Sequence, residues 1–201
     1  MSDIAWTMAH PRPASFGFGL LSPSLVFTSL LAGTVQTASL PGARWTARMV
    51  WPVMSRATSA ELEVLLVALR GRANRLVIWN LGRPILRGAG GGAPIVNGAG
   101  QIGTTINISG LPTNLIGWAL PGDMVGVGGE LKMVTARVDS GGTGLAAMSV
   151  TPPLRASPAN GSAIVVTRPT ARFIAAEPRV QWEYVRPTLA QGYEIELAEA
   201  P

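Results

Sequence analysis

The sequence predicts a mostly-β protein with one short helix, in which a second β unit is inserted into the first. Residues 86–168 alternate short apolar or β-branched runs with Gly, Pro, Asn and Asp, which is the pattern of a small all-β unit. Only residues 58–71 show a convincing helical period. Further short strands are predicted on both sides of the central stretch. The first and last parts of the chain are therefore expected to complete one host domain around an insert.

Composition and charge favour a subunit of an assembly. Of the 201 residues, 47% are apolar and only 13% are charged, whereas ordinary soluble domains contain roughly 25% charged residues. A surface with so few charges is expected to be covered in part by neighbouring subunits, since exposed apolar patches usually mark interfaces. The absence of cysteine excludes disulfides, thiolate catalysis and cysteine-ligated zinc.

Targeting signals are not evident in the sequence. No apolar run reaches the roughly 18–20 residues that a membrane-spanning helix needs. The first residues lack the basic and apolar regions of a secretory signal. We therefore expect folding in a cytoplasm and no membrane partner.

The net charge of +5 comes almost entirely from arginine, because Lys132 is the only lysine. The arginines are spread singly along the chain, apart from a modest cluster at Arg70, Arg72 and Arg75. A nucleic-acid-binding protein more often shows a basic stripe interleaved with aromatic residues. Arginine is also favoured at protein interfaces, where its planar fork makes bidentate pairs. This distribution favours protein interfaces over nucleic-acid binding.

The N-terminal part is predicted to be an irregular arm followed by a hairpin. Residues 1–24 carry three prolines and two glycines, which disfavour regular structure, so this segment is expected to lie across a surface or a neighbouring subunit. Residues 25–31 and 34–39 resemble two short strands on either side of a turn at Ala32 and Gly33.

A half-buried strand and then the helix are predicted next. Alternation over residues 44–51 places Trp45, Ala47, Met49 and Trp51 on one face and Arg44, Thr46 and Arg48 on the other. The helix is expected to begin with a capping box of Thr58 and Glu61. Its apolar stripe consists of Leu62, Leu65, Leu66 and Leu69. Gly71 fits the stop position, with Arg70 and Arg72 suited to the negative end of the helix dipole.

The remaining strands define the predicted domain boundaries. Those of the insert are predicted at 104–109, 124–127, 130–138, 144–151 and 163–168, and those of the host at 75–80, 171–176, 179–185 and 192–198. The sequence thus divides into an N-terminal arm (1–24), a host domain (25–85 plus 171–201) and an inserted domain (86–170).

One glycine motif matches a dinucleotide-binding pattern by letter. Residues 98–103 read Gly-Ala-Gly-Gln-Ile-Gly, and Asp123 lies 20 residues beyond the last glycine. A dinucleotide site needs this motif between a strand and a helix, so that the pyrophosphate meets the helix N-terminus. Here a β-branched segment follows, which predicts a strand. We therefore interpret the motif as a glycine-rich loop without a cofactor.

The residues that carry catalysis in other proteins are scattered or missing. His10 is the only histidine, and no Gly-x-Ser-x-Gly motif presents a nucleophile, so His10 is expected to be a surface residue. The aspartates Asp3, Asp123 and Asp139 are isolated. Near the C-terminus Glu194, Glu196 and Glu199 are expected to form a solvated strand face, while Glu61 and Glu63 are expected to cap the helix and to lie on its surface. The sequence predicts no enzyme, no catalytic residue, no metal site and no cofactor.

Six tryptophans allow two interpretations. Exposed indole rings can stack on sugars, which would suit a carbohydrate-binding module. The positions of most of them on predicted strand faces favour core or subunit-interface roles. The six are Trp6, Trp45, Trp51, Trp79, Trp118 and Trp182.

A fixed order of short motifs runs from about residue 40 to the end of the chain. The paired tryptophans of residues 45–51 precede the capped helix and the Arg-Leu-Val-Ile-Trp strand at 75–79; the later motifs lie at 83–88, 98–103, 122–127, 132–136, 152–155 and 157–158. This order resembles the distal tail proteins of long-tailed bacteriophages (siphophages) and prophages.

The resemblance implies a structural virion protein at the tail tip. It implies a β-sandwich ring (belt) domain with a short helix, which carries an OB-like or small-barrel insert. The subunits would form a ring, expected to be a homohexamer, around a channel through which DNA passes. Implied partners are the tail tube protein, the baseplate hub, the tape measure protein and receptor-binding proteins or fibres. Interface residues are expected at Trp6, Arg44, Arg48, Arg70 and Arg72.

Two alternatives stay open at this point. The chain could be another minor tail protein, of the tube, terminator or hub-associated kind. It could instead be a carbohydrate-binding module of the tail tip that uses Trp118 or a glycine-rich loop.

Overall fold

The protein is mostly β, as predicted, and forms two compact units. The structure, a computed structural model, describes residues 1–29 and 31–200. One unit combines Met1–Leu76 with Phe173–Ala200, and the other contains Val77–Arg172. The predicted insert, 86–170, lies inside the second unit. Within the described part of the chain there are sixteen strands and one helix.

The first unit contains the helix and the strands near both ends of the chain. Its elements in chain order are β1 (Asp3–Ala5), β2 (Ser15–Leu21), β3 (Ser24–Thr28), β4 (Val35–Ser39), β5 (Arg44–Val50), β6 (Met54–Ser55) and α1 (Arg56–Ala68). At the passage into the second unit is β7 (Arg75–Trp79).

The second unit is built from short antiparallel strands. They are β8 (Ile95–Val96), β9 (Gly103–Ser109), β10 (Met124–Val127), β11 (Glu130–Val134) and β12 (Ala146–Leu154). The chain returns to the first unit through β13 (Thr170–Ala175), and then forms β14 (Glu183–Arg186), β15 (Leu189–Gln191) and β16 (Glu194–Glu199).

Strand β5 lies inside the largest sheet, and the predicted alternation along it is confirmed. Trp45, Ala47, Met49 and the following Trp51 are all buried, while Arg44 and Arg48 are exposed. The six-stranded sheet has the order β1-β7-β13-β16-β5-β2, in which β5 pairs antiparallel with both β16 and β2. Burying one apolar face of each strand in this way is what specifies the register of the sheet.

The predicted irregularity of residues 1–24 is wrong, because two strands lie there. Strand β2 pairs with β5 from Ser15↔Val50 to Leu21↔Arg44. The glycines at 17 and 19 alternate with Phe16, Phe18 and Leu20, so the middle of the strand has side chains on one face only. Phe18 stacks on Trp45 with 5.1 Å between the ring centroids. This packing outweighs the low strand propensity of glycine, which is a weak and context-dependent preference.

The helix is confirmed, but its predicted capping box is wrong. The N-cap is Ser55, whose backbone is extended and whose hydroxyl accepts a hydrogen bond from Thr58 N at 3.3 Å. Thr58 and Glu61 therefore lie inside the helix, in its first and second turns. The predicted inner stripe is buried at Leu62, Leu65, Leu66 and Leu69. Helix α1 packs against β6 and β15, which belong to the three-stranded sheet β14-β15-β6.

The helix ends before Gly71, close to the predicted position. Leu69 is the C-cap, and both Arg70 and Gly71 adopt left-handed backbone angles, with φ of 49° and 65°. A Cβ at position 71 would also lie 3.1 Å from the carbonyl oxygen of Pro178. Glycine is favoured there for both reasons.

The second unit is a curled five-stranded antiparallel sheet with the order β10-β11-β12-β9-β8. The predicted strand at 163–168 is not a strand, but residues 162–165 bond to both edges of the sheet. Val165 exchanges two backbone hydrogen bonds with Gly126 of β10, and Val96 of β8 donates to the carbonyl oxygen of Ser162. This segment therefore links the two edge strands and covers the edges that an open sheet would expose. Buried apolar side chains fill the interior, including Ile106, Val125, Val150 and Trp118.

Several predicted boundaries shift. The predicted strand at 130–138 stops at Val134, and the one at 144–151 extends to Leu154. Near the C-terminus, the strand predicted at 179–185 is replaced by the shorter β14, and β15 was not predicted. The strand predicted at 25–31 ends at Thr28. Residue 30 of that predicted strand and residue 201 of the predicted host domain lie outside the described residues.

Candidate assembly surfaces

A long two-stranded ribbon extends from the largest sheet. Strands β2 and β5 form its base, and β3 and β4 continue it, pairing from Ser24↔Ser39 to Thr28↔Val35. The backbone bond from Leu40 N to the carbonyl oxygen of Pro23 bridges the two halves at 2.9 Å. About ten residues separate the end of β2 from the turn, which corresponds to roughly 30 Å of extended chain.

The predicted hairpin turn closes this ribbon. Gly33 N donates to the carbonyl oxygen of Ser29 at 3.0 Å, and Ser29 N donates to that of Thr34 at 2.9 Å. Gly33 has a φ of 63°, the left-handed conformation that glycine adopts at little cost.

The outer half of the ribbon, residues 24–39, is exposed on both faces wherever the structure describes it, in residues 24–29 and 31–39. Every residue of β3 and β4 is exposed, including Val26 at 61% and Phe27 at 58%. The register places Leu25, Phe27 and Ala38 on one face and puts Val26 and Val35 among serines and threonines on the other. No charged residue occurs from Pro13 to Ala43. A large uncharged apolar surface of this kind is unusual in a monomer and typical of an interface.

Helix α1 carries a second apolar stripe on its outer side. Ala57, Ala60, Val64 and Val67 follow one another at helical spacing, and all four are exposed. Val64 is 71% and Val67 is 60% exposed. Because the inner stripe of leucines is buried, the helix is apolar on two opposite sides, and helices of that kind are normally buried all round.

A shallow groove of about 440 Å³ runs beside this outer stripe. It is lined by Glu63, Val64, Val67, Ala68, Arg70 and Trp182. Trp182 is half-buried and contributes part of its indole ring to the groove. The lining is therefore mostly apolar, with one acidic and one basic side chain at its border.

The carboxylate of Glu63 is held by two tyrosines. Tyr193 OH donates to Oε1 at 2.5 Å, and Tyr184 OH lies 3.2 Å from both carboxylate oxygens. The indole N–H of Trp182 donates to Tyr184 OH at 3.2 Å. Burial, together with the hydrogen bond to Glu63, raises the pKa of Tyr193 to about 12. The prediction that Glu63 is a plain helix-surface residue is therefore wrong, since it ties α1 to the C-terminal strands.

Among the predicted interface residues, Trp6 is not accessible. It is 5% exposed, and its ring lies 5.0 Å from that of His10 and 6.0 Å from that of Trp51. His10 is correspondingly half-buried, in contrast to the predicted surface position, and its Nδ1 accepts a hydrogen bond from Thr7 N at 3.0 Å. The turn over residues 7–10 folds back on Trp6, an interaction that the sequence pattern did not reveal.

The four predicted interface arginines are all exposed, in two places. Arg44 and Arg48 lie on the outer face of β5, and Arg70 and Arg72 lie just after α1. Arg72 Nε donates to the carbonyl oxygen of Ala175 at 3.2 Å. Arg70 borders the groove described above.

Arg48 forms an ion-pair cluster across the sheet surface. Its Nε lies 2.5 Å from Glu194 and 3.8 Å from Glu196. The hydrogen bond to Glu194, reinforced by charge attraction, raises the pKa of Arg48 and lowers that of Glu194. The prediction of a solvated glutamate face is right for Glu194 and Glu196. It is wrong for Glu199, which is buried and accepts a hydrogen bond from Trp45 N at 2.9 Å.

The glycine-rich loop at 98–103 leads into strand β9, as predicted, and not into a helix. The side chain of Gln101 holds the loop together. It donates to the carbonyl oxygens of Asn97 and Gly98, both at 3.0 Å, and accepts from Asn107 N at 2.6 Å. The Gln101 side chain thus ties the start of the loop to strand β9.

Asp123 and Lys132 are buried charges that sequence reasoning did not single out as structural. Asp123 accepts hydrogen bonds from the backbone N–H groups of Arg87, Gly88 and Leu120. Lys132 lies 2.5 Å from Glu130 and donates to the carbonyl oxygen of Pro153 at 2.7 Å. No sequence signal marks either residue as buried, since Asp123 directly precedes β10 and Lys132 lies within β11, where exposed polar residues are also common.

Candidate metal ligands do not gather in the part of the chain that is described. Residues 1–29 and 31–200 contain no cluster of three or more His, Asp or Glu side chains that could hold a metal ion. In the same residues, no helix is long and apolar enough to cross a membrane. Trp118, suggested above as a sugar-stacking residue, is fully buried, and its indole N–H donates to the carbonyl oxygen of Gly91.

Comparison with known proteins does not identify a family. No protein-family model matches the chain, and no curated protein sequence matches it at a significant level.

Proposed function

We propose that the chain is a structural virion protein of a long-tailed bacteriophage, which forms a ring at the distal end of the tail tube. The observation that carries the proposal is the exposed apolar ribbon of residues 24–39. Its faces hold large apolar side chains and no charge. Large exposed apolar surfaces of this kind usually mark a site that another protein covers.

The mostly-β fold and the motif order support the same proposal. Ring subunits need extended surfaces that neighbouring copies can cover, and the low content of charged residues suits such contacts. The proposed partners are further copies of the chain in a six-subunit ring, the tail tube protein, the baseplate hub, the tape measure protein, and receptor-binding proteins or fibres. DNA would pass through the ring without specific binding, and the protein would be found at the virion tail tip.

Imaging of the purified chain by negative-stain electron microscopy tests the proposal. Closed rings with a central hole are expected. Isolated particles without a hole, at every concentration up to the solubility limit, would contradict it. Another minor tail role, in the tube, the terminator or the hub region, is separated from the proposed one by the copy number and the position of the protein in the intact particle.

A further inference from the structure

The first unit carries two uncovered apolar surfaces of different shape. One is the ribbon of residues 24–39, a narrow two-stranded extension. The other is the outer stripe of α1 with the groove beside Trp182. Since both are exposed in the same chain, neither covers the other within one molecule.

We infer that the ribbon of one copy lies along the outer face of α1 of the next copy, over the groove lined by Val64, Val67 and Trp182. This inference rests on the proposed ring function and names the two surfaces that form the contact. A contact between two different surfaces is head-to-tail, and head-to-tail contacts produce rings when their rotation closes.

The length of the ribbon suits one side of a subunit contact. One side of a standard protein interface uses roughly 20–30 residues and buries about 800 Å². The ribbon with its flanking residues Leu21 and Leu40, both also exposed, spans a segment of about this number of residues. The face with Leu25 and Phe27 provides the large side chains that a shallow groove can accept.

The charges of the two surfaces also permit the contact. The ribbon has no charged residue, so it brings no charge that would lose its hydration. In the groove the carboxylate of Glu63 already accepts hydrogen bonds from Tyr193 and Tyr184. Arg70 lies at the border, where its guanidinium can stay in contact with water. An apolar occupant without charges therefore fits this groove better than a charged one.

Two variants test the inference by complementation. The double variant Leu25→Ser/Phe27→Ser alters the ribbon and leaves the groove intact. The double variant Val64→Glu/Val67→Glu alters the groove and leaves the ribbon intact. All four positions are exposed, so both variants are expected to fold, which circular dichroism checks. Ile116→Glu, at an exposed apolar position of the second unit, is the control and is expected to assemble like the wild type.

Light scattering is the readout. We expect each variant alone to be monomeric and an equimolar mixture to form a species of twice the chain mass, because one intact ribbon and one intact groove make a single contact. If the wild type assembles but the mixture stays monomeric, or if the groove variant assembles alone, this inference is overturned while the ring proposal stands. A wild type that never assembles overturns both.

A second measurement does not depend on loss of assembly. Because the chain has no cysteine, Phe27→Cys and Val67→Cys each introduce a single thiol. Mixed and treated with a short bismaleimide crosslinker, they are expected to yield the mixed dimer well above either self-linked dimer. Preferential linking of Phe27→Cys to itself would show that ribbons contact ribbons and would overturn the inference.

Discussion

The hydroxyl group of Tyr193 donates a 2.5 Å hydrogen bond to the carboxylate of Glu63, across 130 residues of sequence. Tyr193 is fully buried between β15 and β16, and Glu63 lies on α1. This bond joins the C-terminal strands to the helix whose outer face is proposed as a subunit contact. The geometry of that face therefore depends on a residue near the end of the chain.

Replacing Tyr193 by Phe should lower the free energy of unfolding at neutral pH by about 2 kcal/mol, the usual contribution of a hydrogen bond to a charged group. Urea unfolding measures the change. Tyr184→Phe is the control, because its hydroxyl bonds to the same carboxylate at the longer distance of 3.2 Å and the residue is half exposed. A loss in the control as large as that in Tyr193→Phe would contradict the proposed role of the buried bond.

The same tyrosine predicts an alkaline loss of stability. Its pKa is raised from 10 to about 12 in the folded chain, so the folded state disfavours the phenolate. The stabilisation is fully present below pH 10 and is lost as the pH rises towards 12. The difference in unfolding free energy between wild type and Tyr193→Phe should therefore shrink over this interval. A constant difference from pH 9 to pH 12 would show that burial does not perturb this hydroxyl.

Asp123 is expected to be the most sensitive carboxylate of the second unit. Asp123→Ala removes the acceptor of three backbone N–H groups in a buried place, and should cost about 3 kcal/mol or more. Asp139→Ala, at an exposed carboxylate that accepts from Gly117 N, should cost clearly less, because water can replace the lost acceptor. Thermal unfolding compares the two variants, and equal losses would argue against the structural role of Asp123.

The buried ion pair of Lys132 and Glu130 gives a further stability test. Lys132→Met keeps the volume of the side chain but removes the ammonium partner of the Glu130 carboxylate, which then keeps only the backbone N–H groups of Arg155 and Ala156. This change should destabilise the protein by about 3 kcal/mol. The double variant Glu130→Gln/Lys132→Met should recover part of the loss, because no unpaired charge remains. Urea midpoints of the wild type and both variants measure this. A double variant less stable than the single one would show that the charge itself is not the cause.

The environment of Asp139 predicts a loss of stability in acid. The hydrogen bond from Gly117 N, followed by that from Arg137, lowers the pKa of Asp139 below its ordinary value of 3.8. This contribution to stability is present above pH 4 and is lost as the pH falls through the lowered pKa. Asp139→Asn should therefore have a flatter stability profile than the wild type below pH 4. Parallel profiles of stability against pH for the wild type and Asp139→Asn, measured by thermal unfolding, would contradict a lowered pKa of Asp139.

The sequence pattern predicted those helices and strands in which buried residues recur at the spacing of a single helix or strand. Alternation of apolar and polar residues predicted β5, because Trp45 and Met49 face the core. Helical spacing of leucines predicted the inner stripe of α1. The strand β2 was missed because its glycines mask the alternation of Phe16, Phe18 and Leu20. Ser55 was missed as the N-cap because Thr58 offers the same chemistry one turn later.

The candidate surfaces depend on tertiary structure, which the pattern of one segment does not contain. Trp6 is buried by the nearby His10 and the distant Trp51. Glu199 is buried beside Trp45, far along the chain, so the solvated position predicted for Glu199 was wrong. The ribbon was predicted as a hairpin, but its exposure on both faces could not be inferred from two short strands. The uncharged stretch from Pro13 to Ala43 was the available signal, although residues 88–122 are also uncharged and belong mainly to a packed insert.

The mass of the purified chain in solution, measured by light scattering over a wide concentration range, tests the proposed assembly most directly. We predict a species with six times the 20.9-kDa mass of the chain, which persists on dilution. A mass equal to that of one chain at every concentration would contradict assembly through the ribbon.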